Sequence, residues 1–381
     1  MVTQGSPIRS VRMMTALALS LITAFALSGC ARPLFAQTTP ATPRDGAHDF
    51  DFNIGTWHTH IRRVVDPLSP SSPSIDLNGT VTVRPIWNGK AELEEIEADG
   101  PNGHWEGMTL FLYNPESHEW SQTFANNKMG APDSGNIGYF SDGRVELYGQ
   151  DTFKDKPIIV RAVWSDITPN GHHYTESYSD DAGRTWHVSF NAELTRSTTD
   201  IQGPANVTAG ALPFPDPPGD LDPAHAFDWD IGSWKIHMDR LVHPLTGSAT
   251  WTHMDGTTIN SPFWNGRGNI AQVEADGPNG HLELLALRLY NPASHEWTTS
   301  FATSGVGVLN TPTGRPIIGS FKDGRGEFID QEPYNGRMIL VRFRIWPVDK
   351  DNAQSEQAFS ADGGKTWETN WINHYTRTKS N

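Results

Sequence analysis

The stretch Phe50-Asp51-Phe52-Asn53-Ile54-Gly55-Thr56-Trp57 returns, at a sequence offset of 177, as Phe227-Asp228-Trp229-Asp230-Ile231-Gly232-Ser233-Trp234. The run from Glu97 to His104 also recurs without change, at 274–281. Beyond residue 323 the offset between matching positions is 181, which indicates a four-residue insertion near residues 302–316. The chain therefore contains one module twice, and each copy, of about 150 residues, is long enough to form its own domain.

The repeat sets the domain boundaries and the fold class. We predict an export signal at 1–29, a Pro/Thr-rich tether at 30–47, a first domain at 48–196, a Pro-rich linker at 197–224 and a second domain at 225–378. Within each copy, short runs of alternating apolar and polar residues are separated by Asp-Gly, Asn-Gly and Asn-Pro pairs, which is typical of strands and tight turns. We therefore predict an all-β fold of two consecutive antiparallel up-and-down β-barrels, with about eight to ten strands each, because closure removes exposed sheet edges.

The start and the end of each copy indicate the kind of barrel. Each Gly-x-Trp near the start is matched by a Thr-Arg pair at the end. In this feature the chain resembles lipocalin-like, or calycin, barrels, in which such a Trp plugs one end and a basic residue of the last strand packs across it. The residues at these places are Gly55, Trp57 and Arg196 in the first copy and Gly232, Trp234 and Arg377 in the second.

Both copies also resemble a bacterial family of uncharacterised function that begins with Phe-Asp-Phe-x-x-Gly-x-Trp. Members of that family end with Ser-x-Asp-Gly-Gly-x-Thr-Trp-Glu-Thr-Asn-Trp, which 360–371 match closely, whereas the first copy departs after Trp186. Residues 179–186 and 360–367 both fit Ser-x-Asp-x-Gly-x-Thr-Trp and resemble the Asp-box of sialidases. With one such box per domain, we interpret each as a hairpin turn rather than as part of a glycosidase.

Composition limits the partners that the chain can have. Its 29 Lys and Arg stand against 44 Asp and Glu, a formal net charge of −15, so we expect no nucleic-acid partner. A single Cys excludes an internal disulfide and a Cys-based zinc site.

The N-terminus has the form of a bacterial export signal. Arg9 and Arg12 precede an apolar stretch at 13–27, which is short for a membrane span. Leu-Ser-Gly-Cys at 27–30 resembles a lipobox, whose Cys is acylated and becomes the first residue of the mature chain. The resemblance implies an outer-membrane lipoprotein anchored through Cys30 and facing the periplasm or the cell surface. The alternative is ordinary cleavage near residue 36, which gives a secreted or periplasmic protein.

Acylation of Cys30 gives a direct prediction. Cells grown with radiolabelled palmitate should place label on the wild-type chain and none on Cys30→Ala, because the thiol is the acceptor of the first acyl chains. A wild-type chain without label would end the lipoprotein hypothesis in favour of ordinary cleavage.

The most polar stretch that the copies share is Glu-Ala-Asp-Gly-Pro-Asn-Gly-His. Its centre is turn chemistry, so a hairpin loop is the simpler interpretation. On the following strand His104 and Glu106 share one face, as do His281 and Glu283. A His beside a carboxylate can serve as an acid–base pair, which makes these residues candidates for ligand binding or catalysis. We predict no metal site, because no third ligand stands near them.

A second pair of candidates lies in the middle of a predicted strand. Arg161 and Arg342 are matched and stand among aliphatic residues. If they point outward they are solvated; if they point inward they need partners, and Glu176 and Glu356 on the next strand are the candidates. The inward arrangement predicts a polar pocket for a ligand with an anionic group.

We expect a binding protein rather than an enzyme, because the chain has no Gly-x-Ser-x-Gly elbow and no phosphate loop. No cofactor is expected. Each barrel is predicted to hold a small, partly apolar or anionic molecule in its mouth. The alternatives are a hydrolase or isomerase that uses the His/Glu pairs, a haem- or nitric-oxide-handling barrel with His374 in its pocket, and a purely structural envelope protein.

Overall fold

The computed structural model describes residues 45–198 and 222–378. The predicted export signal, Cys30 and most of the predicted tether and linker lie outside these residues. The described residues form two closed antiparallel barrels of ten strands each, so the predicted fold class is confirmed. Within 45–198 and 222–378, no helix combines the length and the apolar character needed to span a membrane.

Barrel one consists of ten strands that follow one another along the chain, with 3-10 helices at Asp51–Asn53 and Trp87–Gly89. The strands are β1 (Gly55–Val64), β2 (Ser74–Ile86), β3 (Ala91–Gly100), β4 (Gly103–Asn114), β5 (Glu119–Asn126), β6 (Asn136–Ser141), β7 (Arg144–Phe153), β8 (Lys156–Thr168), β9 (Gly171–Ser179) and β10 (His187–Arg196).

Barrel two repeats this order, with 3-10 helices at Pro223–His225, Asp228–Asp230 and Trp264–Gly266. Its strands are β11 (Gly232–Leu241), β12 (Trp251–Phe263), β13 (Gly268–Gly277), β14 (Gly280–Asn291), β15 (Glu296–Thr303), β16 (Ile317–Lys322), β17 (Arg325–Tyr334), β18 (Arg337–Pro347), β19 (Asn352–Ser360) and β20 (Glu368–Arg377).

Each strand pairs with the next one along the chain, and the first strand pairs with the last, which closes the barrel. Because successive strands run in opposite directions, the loops after β1, β3, β5, β7 and β9 gather at one end of barrel one. The chain enters β1 at the other end. The two ends therefore differ: one carries five hairpin loops, and the other carries the Gly-x-Trp motif.

A tryptophan and an arginine close the entry end of barrel one. Trp57 is fully buried, and its Nε1 donates to the Asn53 carbonyl oxygen at 2.7 Å. The Arg196 guanidinium lies 4.0 Å from the centroid of the Trp57 ring and donates to two carbonyl oxygens of the entering chain. Gly55 has a φ of 130°, and a Cβ there would lie 2.4 Å from Arg196 Nη1, so glycine is required.

Barrel two is plugged in the same way. Trp234 Nε1 donates to the Asp230 carbonyl oxygen at 2.8 Å, and Arg377 lies 3.9 Å from the centroid of the Trp234 ring. Gly232 again has a positive φ, of 119°. Both copies thus contain the arrangement that the resemblance to lipocalin-like barrels implies.

The two barrels pack against each other through the outer faces of β3–β5 and β13–β15, together with the turns that precede β3 and β13. Apolar side chains from both barrels form one buried cluster there, which accounts for the large amount of apolar surface on the outside of these strands. Its main members are Ile86, Trp87, Ala91, Leu93, Met108, Leu110, Leu112 and Ala125 from barrel one, and Phe263, Trp264, Ile270, Leu285, Leu287, Leu289 and Ala302 from barrel two.

Two reciprocal ion pairs cross between the barrels. Lys90 Nζ lies 2.5 Å from Glu283 Oε2, and Arg267 Nη2 lies 2.7 Å from Glu106 Oε2. The repeat offset of 177 relates Arg267 to Lys90, and it relates Glu283 to Glu106. Each pair is therefore the repeat image of the other, as in a two-fold symmetric interface.

Two reciprocal hydrogen bonds follow the same rule. Ser121 Oγ donates to the Gly307 carbonyl oxygen at 2.7 Å, and Thr298 Oγ1 donates to the Gly130 carbonyl oxygen at 2.6 Å. Both hydroxyls are buried. The offset of 177 again relates the donors to each other and the acceptors to each other, so the two barrels are packed about a pseudo-two-fold axis.

The four-residue insertion lies between Asn310 and Ile317. The Asn310 side chain accepts a hydrogen bond from the Phe301 amide, and its match at the offset of 177, Asp133, accepts the equivalent bond in barrel one. Ile317 begins a strand equivalent to the one that begins at Asn136, and these two positions match at the offset of 181. The inserted residues are thus in a loop, within the interval that the sequence predicts.

Candidate functional site: the cavity of barrel one

Barrel one contains an open cavity of about 350 Å³. It lies between the Trp57 plug and the hairpin-loop end, where residues 100–104 and 128–135 form part of its rim. A cavity of this size matches small-molecule sites, which usually span about 300–1,000 Å³.

Aromatic side chains form much of the cavity wall. The Trp164 and Tyr174 rings lie 4.7 Å apart, and the Tyr174 and Phe190 rings lie 5.9 Å apart. Trp105 and Phe124 stack at 6.1 Å on another part of the wall. Flat apolar surfaces of this kind pack well against a ring or an alkyl group of a ligand.

Glu94 places a carboxyl group in the cavity. It points inward from β3 and accepts hydrogen bonds from Thr109 Oγ1 at 2.8 Å and from Asn53 Nδ2 at 3.4 Å. Burial raises the pKa of Glu94, and these two hydrogen bonds act in the opposite direction.

Two further carboxyl groups line the cavity nearer its mouth. Glu176 on β9 accepts a hydrogen bond from Ser189 Oγ at 2.7 Å, and burial raises its pKa. Asp133 accepts hydrogen bonds from the amides of Phe124 and Gly135, and burial raises its pKa to about 7. The Asp133 carboxyl therefore changes its charge near neutral pH.

Among the described lining residues, the arginine and lysine side chains lie on the outer part of the cavity. Arg63 and Lys128 both contact the cavity, and both are exposed. The deeper lining thus offers oxygen atoms that accept hydrogen bonds and, when ionised, carry negative charge. Such a lining favours a ligand whose polar end donates hydrogen bonds or is positively charged.

Glu92 lies on the same inward face as Glu94, one step closer to the plugged end. Its side chain is fully buried, and neither carboxyl oxygen has a hydrogen-bond partner among the described residues. Burial raises the pKa of Glu92 to about 9, and the charges of Asp51 and Glu94 add to this rise. Glu92 is therefore a neutral acid in the folded protein at neutral pH.

Barrel two does not keep the three carboxyl groups of the cavity. The repeat places Ala271 at the position of Glu94, Asn310 at that of Asp133 and Gln357 at that of Glu176. The acidic lining is consequently a property of barrel one alone, although the two copies share their plugs and their interface.

The interior of barrel two is also packed with different side chains. Phe343 stands where barrel one has Ala162, and its ring lies 6.2 Å from that of Phe301 and 6.1 Å from that of Phe328. Tyr375 replaces Leu194, and its hydroxyl lies 3.0 Å from Ser355 Oγ. At these two positions, larger side chains occupy space in barrel two that smaller ones leave open in barrel one.

Two sequence-predicted candidates line the cavity, Glu176 in its wall and His104 at its rim. Glu176 has no arginine beside it on the next strand. Arg161 alternates with the inward-facing Val160 and Ala162 of β8, so it points out of the barrel. Its guanidinium lies 4.4 Å from the centroid of the Trp186 ring. The alternative in which Arg161 points into the barrel is therefore wrong, and the outward alternative is the one found.

The matched pair in barrel two behaves in the same way. Arg342 lies 4.4 Å from the centroid of the Trp367 ring, outside the barrel. Glu356 also points outward, where its carboxylate lies 3.5 Å from Arg344 Nη1. The predicted anion pocket of Arg342 and Glu356 is not formed.

Among the His/Glu candidates, His104 reaches the rim of the barrel-one cavity, whereas Glu106, His281 and Glu283 lie on the outside of their barrels. His104 and Glu106 do share one face of β4, but that face is the outer one; His104 pairs with Asp99 at 3.0 Å, and Glu106 pairs with Arg267 of the other barrel. In barrel two His281 pairs with Asp276 at 2.9 Å, and Glu283 pairs with Lys90. Neither Glu106 nor Glu283 reaches the cavity, so both are residues of the barrel interface.

Reasoning from the sequence missed Glu94 and Asp133. One signal for Glu94 was present: Glu92 and Glu94 share a strand face by period two, next to Ala91 and Leu93 on the other face. Asp133 lies in a loop, where no period applies, and only the folded chain brings it to the cavity.

No protein-family model and no curated protein matches the chain. Among solved structures, a protein of unknown function from the DUF3598 family of Nostoc punctiforme has a TM-score of 0.24 and 10% identity, covering 88% of this chain and 100% of that one. An S-type phycobiliprotein lyase from Guillardia theta has a TM-score of 0.29 and 13% identity, covering 41% of this chain and 95% of that one.

Proposed function

We propose that barrel one binds a small, partly apolar molecule that carries a positively charged or hydrogen-bond-donating group. The observation that carries this proposal is the lining of one cavity, which combines aromatic walls with the carboxyl groups of Glu94, Asp133 and Glu176. The aromatic walls would take the apolar part of the ligand, and the carboxyl groups its polar end. A positive charge would also be attracted to the faces of the aromatic rings.

The charge of the cavity argues against an anionic ligand. The prediction of an anionic group depended on inward-facing arginines, and Arg161 and Arg342 lie outside their barrels. An anion in this cavity would instead approach buried carboxyl groups, which repel it when ionised.

The alternative functions find less support in the geometry. A hydrolase based on His104 and Glu106 would need both residues at the cavity, and Glu106 is engaged with the other barrel. A haem site would need an inward His374, but His374 is exposed on the outer face of β20.

The proposed location follows from the N-terminus. We propose that the chain is anchored at a membrane surface through Cys30 and that the cavity acts outside the cytoplasm. The acidic net charge of −15 is consistent with an anchor made by acyl chains rather than by a basic surface.

Two fluorescent probes that differ by one sulfonate test the cavity and its charge preference. N-phenyl-1-naphthylamine is neutral, and 8-anilino-1-naphthalenesulfonate is its anionic counterpart. We expect the neutral probe to bind at least about tenfold more tightly, because the sulfonate would be buried among carboxyl groups. Equal affinity of the two probes would contradict the charge preference.

Matched variants locate the bound probe. Val160→Trp fills the cavity of barrel one and should abolish binding of the neutral probe, whereas Val341→Trp makes the same change at the equivalent position of barrel two and should leave it. If Val341→Trp abolishes binding and Val160→Trp does not, the probe binds in barrel two, and the proposal is contradicted.

A cationic probe, thioflavin T, tests the carboxyl groups. Its affinity should rise between pH 6 and pH 8, because the raised pKa of Asp133, about 7, means that this carboxyl gains its negative charge in that interval. The charges of Glu176 and Asp151 contribute to that raised value. Asp133→Asn should remove the rise; a rise that persists in the variant would exclude Asp133 as its source.

A further inference from the structure

A group of histidine and aspartate side chains lies on the outer wall of barrel two, away from the barrel interface. His237 and Asp239 point outward from β11, because the alternating residues Ile236 and Met238 are buried inside. His253 on β12 stands directly opposite Asp239 in the ladder. These three side chains therefore meet on one face of two adjacent strands.

The ligand atoms of this group converge. One nitrogen of each histidine and one carboxylate oxygen all lie within 4.8 Å of one another. His237 Nε2 is 3.4 Å from Asp239 Oδ1, and His253 Nδ1 contacts the same oxygen. The two imidazole rings are nearly parallel, at 13°, with centroids 5.9 Å apart.

A fourth residue orients one of the histidines. Asp255 Oδ1 accepts from His237 Nδ1 at 2.7 Å, which leaves His237 Nε2 free to face Asp239. A carboxylate behind a metal-binding histidine is the usual means of fixing its tautomer and its ring orientation. His374 on β20 stands opposite His237 on the other side of β11 and adds a third imidazole to the same surface.

Among its described residues, barrel one lacks an equivalent cluster of two histidines around a carboxylate. The equivalent positions hold His60, Arg62 and Asp76, and the cation of Arg62 replaces the carboxylate of Asp239. His60 and Asp76 are 3.6 Å apart, so the histidine–aspartate contact persists there without a second imidazole or a central carboxylate. The convergent set is specific to barrel two.

We infer that His237, Asp239 and His253 form a binding site for a divalent transition-metal ion of the Zn²⁺ type on the outer wall of barrel two. Two imidazoles and one carboxylate are a ligand set that Zn²⁺ accepts, with the remaining coordination positions open to solvent. The site is independent of the cavity in barrel one and of the proposed ligand.

Calorimetric titration of the metal-free full chain with Zn²⁺ at pH 7.5 tests the inference. We expect saturable binding of one ion per chain, absent in His237→Ala and in His253→Ala. Asp255→Asn should weaken binding about 10- to 100-fold, because it removes the carboxylate that orients His237 but leaves all three metal ligands in place. His60→Ala and His281→Ala, which change histidines of other His–Asp pairs, should bind as the wild type does.

Two further measurements separate a built site from loss of folding or from scattered surface binding. The variants alter exposed or half-buried side chains, so their melting temperatures without metal should match the wild type. Co²⁺ should give a visible absorption band that His253→Ala abolishes. No saturable Zn²⁺ binding by the wild type, or binding that survives both histidine substitutions, would overturn the inference.

Discussion

Glu92→Gln should make the protein more stable at neutral and alkaline pH and leave its stability at pH 4 unchanged. Glu92 is fully buried without a hydrogen-bond partner among the described residues, and its pKa is raised to about 9. The variant keeps the shape of the neutral acid and cannot ionise. Barrel two already holds an amide, Asn269, at this position.

The direction of this stability change follows from the number of protons that the folded and the unfolded chain bind. Between pH 4.5 and 9 the carboxyl is ionised in the unfolded chain and protonated in the folded one, so each rise in pH favours unfolding of the wild type. At 1.36 kcal/mol per pH unit, the advantage of Glu92→Gln should be about 3 kcal/mol at pH 7 and at most about 6 kcal/mol at pH 9.

Denaturant unfolding at pH 4, 7 and 9 measures this effect. Glu116→Gln is the matched control, because Glu116 is exposed in the turn between β4 and β5 and should show no difference at any of the three values. If the difference between Glu92→Gln and the wild type does not grow with pH, Glu92 is not a neutral acid in the folded protein.

Reversing the charge of Glu106 should weaken the packing of the two barrels. Glu106→Lys places an ammonium group against the Arg267 guanidinium, where the wild type has a pair at 2.7 Å in a partly buried setting. We expect a loss of about 2–3 kcal/mol in the free energy of unfolding, because a desolvated cation would be left facing another cation.

The double variant Glu106→Lys/Arg267→Glu restores opposite charges in exchanged positions. It should recover part of the loss, with a coupling of about 1–3 kcal/mol in a double-mutant cycle. The exposed pair of Asp66 and Lys154 on barrel one is the comparison, and its cycle should give less than about 1 kcal/mol. Additive effects at Glu106 and Arg267 would show that the cross-barrel pair does not hold the interface.

The repeat and the alternating strands were enough to predict two antiparallel β domains, since alternation and turns are local patterns. Closure was predicted because it pairs the first strand with the last and so leaves no exposed sheet edge. The direction of single side chains was not predictable in the same way. The outer face of β4 carries Met108, Leu110 and Leu112 and is as apolar as a barrel interior, because another barrel covers it. Period two identifies two faces of a strand, and here both faces are buried.

The site residues predicted from the sequence were mostly ones that both copies keep. His104 with His281 and Arg161 with Arg342 are kept in both copies. The two arginines lie outside their barrels in stacking contacts, and each histidine pairs with an aspartate at a turn. The three carboxyl groups of the cavity stand at positions where the copies differ, as Glu94 and Ala271 do, although other lining residues such as Val160 and Phe124 are kept. Here the differences between the copies identify the acidic groups of the cavity, which the kept residues alone do not.

The reciprocal contacts between the barrels have a consequence for how such a chain evolves. They have the symmetry of homodimer contacts, because Lys90 with Glu283 and Arg267 with Glu106 occupy equivalent places in the two repeats. In a homodimer every mutation appears twice, and a cavity cannot change in one subunit alone. A single chain that carries both halves is free of that constraint, and here one half holds an acidic cavity while the other holds a histidine cluster on the same symmetric frame.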